Sequence, residues 1–129
     1  MANKKCFVLM PFAPEFDGIW EEVIRPTATK LGDACTRADD VFSPGVIIDD
    51  VLRSIANADY LIADLTSRNP NVYYELGIAH AKVKSVILIT QSLSDLPFDV
   101  RHRRVIEYAD SAAGGAALRS ALDKSIASL

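Results

Sequence analysis

The chain has only two cysteines, Cys6 and Cys35, among 129 residues, and no His or Cys cluster with metal-ligand spacing. A disulfide framework and a zinc module are therefore both excluded, and the two thiols read as reduced core residues in strand-like surroundings. No apolar run approaches the roughly 20 residues needed to cross a bilayer. "MANKKCFVLMPF" has a short apolar run stopped by Pro11, unlike a secretory leader, so a cytoplasmic protein without membrane contact is expected. There is no excess of positive charge either. Fourteen Lys and Arg against seventeen Asp and Glu leave a formal net charge of −3, which provides no general attraction for a nucleic acid polymer or an anionic lipid. Internal repeats are absent, and "SAAGGAA" (111–117) is the only biased stretch.

What is present is a core-forming composition, 50% apolar and 24% charged, at a length suited to one domain spanning 1–129. Apolar runs at 4–10, 33–38 (the weakest), 59–65, 85–90 and 104–109 read as five strands. Helical periodicity fills the gaps at 16–31, 45–57, 71–84 and 113–127, with Trp20 on the buried face of the first and Pro26 expected to kink or split it. Strands that are apolar throughout, alternating with amphipathic helices, imply a parallel sheet covered on both faces. The expected fold is α/β, a flavodoxin-like three-layer sandwich with a five-stranded parallel sheet in the order 2-1-3-4-5.

In such a fold a ligand lies outside the carboxyl ends of the strands, near the switch point between strands 1 and 3. The stretch "DLTSRNPNVYYELGIAHA" (64–81) falls there. Asn69 suits an N-cap, Pro70 suits a first turn, and Val72, Leu76, Ala79 and Val83 form an apolar stripe. Glu75 stands off that stripe in the opening turns, where the helix dipole favours its ionised form. An ionised carboxylate there can attack an electrophilic carbon or stabilise a cation. The structural alternative is a capping pattern or an ion pair with an arginine.

Other residues carry paired readings. Asp59 begins a strand, at the end of the sheet away from a ligand, and reads as structural. Asp64 ends that strand and either bonds the following loop or orients a ribose hydroxyl. Met10 and Phe12, in "MPF" after strand 1, cover a base or close the core. Ser43-Pro44-Gly45 before the second helix is either a phosphate-binding helix start or a plain cap and turn. Arg101, His102, Arg103 and Arg104 form a solvated face or a phosphate clamp, and Arg68 is a second candidate for phosphate. His80 reads as a packed or surface residue. Tyr73 and Tyr74 flank Glu75, one to shield or orient it and the other to pack.

The segment "IANADYLIADLTSRNPNVYYELGIAHAKVKSVILIT" resembles the signature of the nucleoside 2-deoxyribosyltransferase-like family, including its nucleotide N-glycosidases and the related TIR-like bacterial proteins. "FVLMPF", "FDGIWEEVIRPTATKLG", the pair Arg37 and Asp39, and "LPFDVRHRRVIEY" extend the similarity over most of residues 6 to 108. The resemblance implies an enzyme in which Glu75, sixteen residues after Asp59, is the nucleophile at C1′ of the sugar. It implies that Asn69, six residues before Glu75, contacts the sugar 5′ end or its phosphate. The family's aspartate eight residues before the "AD" aspartate is replaced here by Val51, and Asp49 and Asp50 are offset by rotations of about 100° per residue on a helix. Implied partners are a small-molecule nucleoside, nucleotide or NAD and a second copy of the chain in a homo-oligomer; no cofactor and no metal are implied. Cleavage or transfer at an N-glycosidic bond is the expected chemistry. A TIR-like NAD hydrolase and a catalytically silent nucleotide-binding module are the alternatives.

Overall fold

A computed structural model describes residues 3–38, 47–97 and 104–129. Among them, β1 (Lys5–Leu9), β2 (Ala34–Arg37), β3 (Tyr60–Asp64), β4 (Val86–Thr90) and β5 (Val105–Glu107) form one sheet. All pairs are parallel and the order is β2-β1-β3-β4-β5, the flavodoxin-like arrangement expected from the sequence. Alternation along the strands divides the core. Cys6 and Val8, Tyr60 and Ile62, and Ile87 and Ile89 face one side, and Phe7 and Leu9, Leu61 and Ala63, and Leu88 face the other.

The first side is covered by a composite helix α1 (17–30) and by α4 (Ala112–Ala127), through Trp20, Val23, Ile24, Leu118, Leu122 and Ile126. The second is covered by α2 (Ile47–Asn57) and α3 (Pro70–Ala81), through Val51, Ile55, Val72, Leu76 and Ala79. The disturbance expected at Pro26 takes the form of a π-helical stretch just before it, and the helix continues through the proline. An α turn at Asp17–Ile19 runs into a π-helical stretch Trp20–Ile24 and then α-helix Arg25–Lys30. The Arg25 N–H reaches back to the Trp20 carbonyl, a five-residue step. This wider turn accommodates a ring that lacks its own N–H. The guanidiniums of Arg25 and Arg37 both lie 5.4 Å from the Trp20 ring centroid, and Arg37 pairs with Asp17 at 3.0 Å.

Gly32, at φ 89°, ends α1. Its N–H bonds Thr29 O and that of Asp33 bonds Ala28 O, a Schellman closure that requires the left-handed region. Asp33 then accepts from Lys4 N and from the Tyr60 hydroxyl, and Asp59 accepts from Lys5 N at 2.8 Å. Both aspartates thus tie strand starts together, the structural role read for Asp59.

One expected core residue is misplaced. Val83 is 90% exposed because α3 stops at Ala81, and the following turn carries Val83 at φ 57° with its N–H on His80 O. The apolar stripe therefore ends at Ala79.

Two helix glycines make opposite predictions. A Cβ on Gly77 of α3 meets nothing within 4 Å, so Gly77→Ala should stabilise the protein by about 0.5–1 kcal/mol through backbone entropy. A Cβ on Gly114 of α4 would collide with the Ala109 carbonyl oxygen, and Gly114→Ala should cost about 1–3 kcal/mol. Thermal melts of the two variants against the parent check both signs.

Candidate functional site

At the carboxyl ends of β1 and β3 the chain must turn sharply to enter α3. The turn Thr66–Arg68 places two consecutive non-glycine residues, Ser67 (φ 69°) and Arg68 (φ 51°), in the left-handed region. That conformation costs of order 1–2 kcal/mol per residue, so anchors are needed. Asp64, 0% exposed, supplies them. Its Oδ1 accepts from Thr66 N at 3.0 Å and Thr66 Oγ1 at 2.6 Å, and its Oδ2 accepts from the Tyr108 hydroxyl. Gln91 completes the network, its N–H donating to Thr66 Oγ1 and its Nε2 to the Tyr108 oxygen. Burial pushes the Asp64 carboxyl above its usual range, and the bonds from Thr66 and Tyr108 pull it back. Burial also raises the Tyr108 phenol.

The turn delivers Asn69 to the N-cap of α3. Its Oδ1 accepts from Asn71 N at 2.9 Å and Val72 N at 3.2 Å. This fixes the amide orientation and leaves its two N–H donors outside the cap. Pro70 occupies the first turn, as its missing N–H suits.

Above this helix start opens a cleft of about 270 Å³, lined by Met10, Phe12, Val51, Asn69, Asn71, Val72, Tyr74 and Glu75. Its walls come from the end of β1, from α2 and from the first turns of α3. Met10 is buried, while Phe12 and Tyr74 are 63% and 60% exposed at its lip. Asn71 and Glu75 are four residues apart and share one helix face. Among the described residues Glu75, half-buried, has no hydrogen-bond or ion-pair partner. Burial raises its carboxyl from 4.5 to about 7. The expected dipole effect is overruled because Glu75 is the sixth residue of α3, beyond the first turn where helix N–H groups are free. The capping alternative fails for the same reason: the capping-box position is Val72.

The other sequence candidates divide clearly. Met10, Phe12, Asn69, Tyr74 and Glu75 are brought together. Asp64 is fully buried and bonds Thr66 of the loop and Tyr108. Arg68 points away, its Nε donating to Asp95 O. Tyr73 packs with its hydroxyl buried beside Arg68 and Asp95, and burial raises its phenol. Val51, 3% exposed, presents an apolar wall; Asp50 pairs with Arg53 at 3.1 Å, and Asp49 is exposed. Ser43, Pro44, Gly45, Asp39, Arg101, His102 and Arg103 lie outside the described residues. Asn71 and the supports Thr66, Gln91 and Tyr108 were missed. Only Asn71 had a signal, its four-residue spacing from Glu75. Among the described residues no group of His, Cys, Asp and Glu is arranged to hold a metal ion, and no helix is long and apolar enough to cross a membrane.

This architecture is shared with solved enzymes. A 2-deoxyribosyltransferase from Leishmania mexicana superposes with a TM-score of 0.66 at 19% identity, over 88% of this chain and 95% of the other. The 2-deoxyribosyltransferase of Bacillus psychrosaccharolyticus gives 0.67 at 16% identity, with the same coverage. A CMP N-glycosidase from Clostridium botulinum, BcmB, gives 0.72 at 19% identity, over 95% of this chain and 99% of that one. No family model matches the sequence, and no curated protein matches it. The chain thus has the fold of nucleoside deoxyribosyltransferases and a nucleotide N-glycosidase.

Two stability effects follow from the geometry. Glu75 gains a proton affinity on folding, so the folded state is penalised as pH rises from about 4.5 to about 7 and fully penalised above. Glu75→Gln should therefore gain stability relative to the parent across that window and keep the gain at pH 8. Tyr108→Phe removes one donor from a buried carboxylate and should cost about 1–3 kcal/mol. Melting temperatures measured from pH 4 to pH 8 check both.

Proposed function

We propose that this chain is an enzyme that cleaves or transfers at the N-glycosidic bond of a nucleoside or nucleotide, with Glu75 as the carboxylate that engages C1′. The observation that carries the reading is the half-buried Glu75, without a partner among the described residues, in the wall of a cleft at the carboxyl end of the sheet. Structural carboxylates are normally paired; one held partly desolvated and open to a cleft is suited to chemistry.

The step follows from that placement. As the C1′–N bond breaks, its electron pair passes to the base, which takes up a proton, and positive charge develops at C1′. A carboxylate oxygen of Glu75 stabilises that charge and bonds C1′ as a glycosyl ester. Water or a second base then attacks C1′ and releases the carboxylate, giving hydrolysis or transfer. The Asn69 amide donors face the sugar 5′ end or its phosphate, and Met10, Phe12 and Tyr74 hold the base against apolar surface. The exposed aromatic lip supports a homo-oligomer in which a second copy closes the cleft. Sedimentation at micromolar concentration should show at least a dimer; a monomer alone would remove that part.

The apolar Val51 favours a second reading, a nucleotide-binding module without turnover. Incubation with nucleosides, nucleotides and NAD, with free base measured by chromatography, separates the readings. Base release lowered at least about 100-fold in Glu75→Gln, with ligand binding retained, is the expected result. The parent rate should rise with pH through about 7 as Glu75 ionises. Asn69→Asp retains a capping oxygen but substitutes negative charge for the amide donors, so it should lose preference for nucleotides over nucleosides. Ligand-induced thermal stabilisation without release from any compound would establish the module instead.

A further inference from the structure

A second chemical cluster lies at the opposite end of the sheet and plays no part in the cleft. Across the strands run Cys35, Cys6 and Tyr60 as register partners on β2, β1 and β3, and the Tyr60 hydroxyl bonds Asp33 at 2.7 Å. Register partners in a sheet point to the same face, and here both cysteines meet the same core cluster, Cys6 within it and Cys35 at its margin. Neighbouring strands lie about 4.8 Å apart, inside the window of roughly 4.4–6.8 Å between Cα atoms that a disulfide spans. The thiols are free, and they are the chain's only two.

Their exposures differ. Cys6 is 2% exposed, whereas Cys35 is half-buried on β2, which among the described residues is an edge strand bonded on one side only. Hydrogen bonding to Cys35 and burial together push the Cys6 thiol far above its ordinary range. Cys6 is thus poorly suited to react first with a solvent oxidant, while Cys35 is reachable and has a second sulfur beside it.

We propose that Cys6 and Cys35 form a reversible oxidation site, at which hydrogen peroxide converts the two thiols to an intramolecular disulfide joining β1 to the edge strand β2. The Cys35 sulfur attacks one peroxide oxygen, the O–O bond breaks, and the departing hydroxide leaves with the thiol proton as water. Cys35 is thereby oxidised to a sulfenic acid. The Cys6 sulfur then attacks the Cys35 sulfur, the S–O bond breaks, and hydroxide leaves with the Cys6 proton as a second water. Two thiols are oxidised and one peroxide is reduced. The site stands whether or not the cleft is catalytic.

The test is peptide mapping of the full chain by mass spectrometry after peroxide treatment without reductant. A mass lowered by about 2 Da, with the Cys6 and Cys35 peptides cross-linked and dithiothreitol restoring both thiols, is expected. Cys6→Ser should instead accumulate sulfenic and sulfinic acid on Cys35. The parent measurement decides alone if that variant fails to fold. Over-oxidised Cys35 beside an alkylatable Cys6, a disulfide formed only between two chains, or two intact thiols under conditions that oxidise free cysteine would each overturn the proposal.

Discussion

One buried carboxylate holds the cleft together. Asp64 gathers Thr66 from the turn and Tyr108 from the chain just beyond β5, while Gln91 beyond β4 bonds both partners. The ends of three strands and one loop thereby become a single unit. The left-handed Ser67 and Arg68 need such an anchor, since neither residue type relieves the steric cost as glycine would. Their reversal lands Asn69 at the helix cap, and the cap sets the axis along which Asn71 and Glu75 project. Removal of the carboxylate would leave the Tyr108 hydroxyl without its acceptor in a buried site, so the network is cooperative rather than a set of spare contacts.

The cleft it supports is mostly apolar, and that decides the character of Glu75. A carboxylate on an exposed helix face titrates near its ordinary value; against Met10, Val51 and Val72 it is held at about 7. Near neutrality the group is divided between its two protonation states. The neutral form suits an empty apolar cleft and the ionised form suits a developing cation. Desolvation costs stability in the free protein and strengthens the interaction with positive charge when it appears, a division familiar at reactive sites.

The sheet was legible from the sequence because buried parallel strands are apolar without interruption, and β1, β3 and β4 are of that kind. The edge strand β2 was the weakest reading because half of it faces solvent. The π-helical accommodation of Pro26 was not legible, since periodicity over sixteen residues does not register one widened turn. Val83 was misread because its apolar character continued a pattern that the backbone had already ended. Glu75, Asn69, Met10, Phe12 and Tyr74, which share the candidate cleft, were singled out by spacing, caps and resemblance. The supports of Asp64 were not, because Tyr108 lies 44 residues away and only the β4 to β5 pairing brings it near. Nor does the string of residues reveal that burial outweighs the helix dipole at Glu75, a balance that depends on what packs above the second turn.

The central claim is that Glu75 bonds C1′ of a bound sugar. Intact-protein and peptide mass spectrometry after incubation with a 2′-fluoro-arabinosyl nucleotide tests it most directly, because fluorine at that position slows breakdown of a glycosyl ester. A sugar-phosphate adduct located on Glu75, formed as free base appears and absent from Glu75→Gln, is the predicted result. Base released without an adduct at Glu75, or an adduct on another residue that survives the Gln substitution, would contradict it.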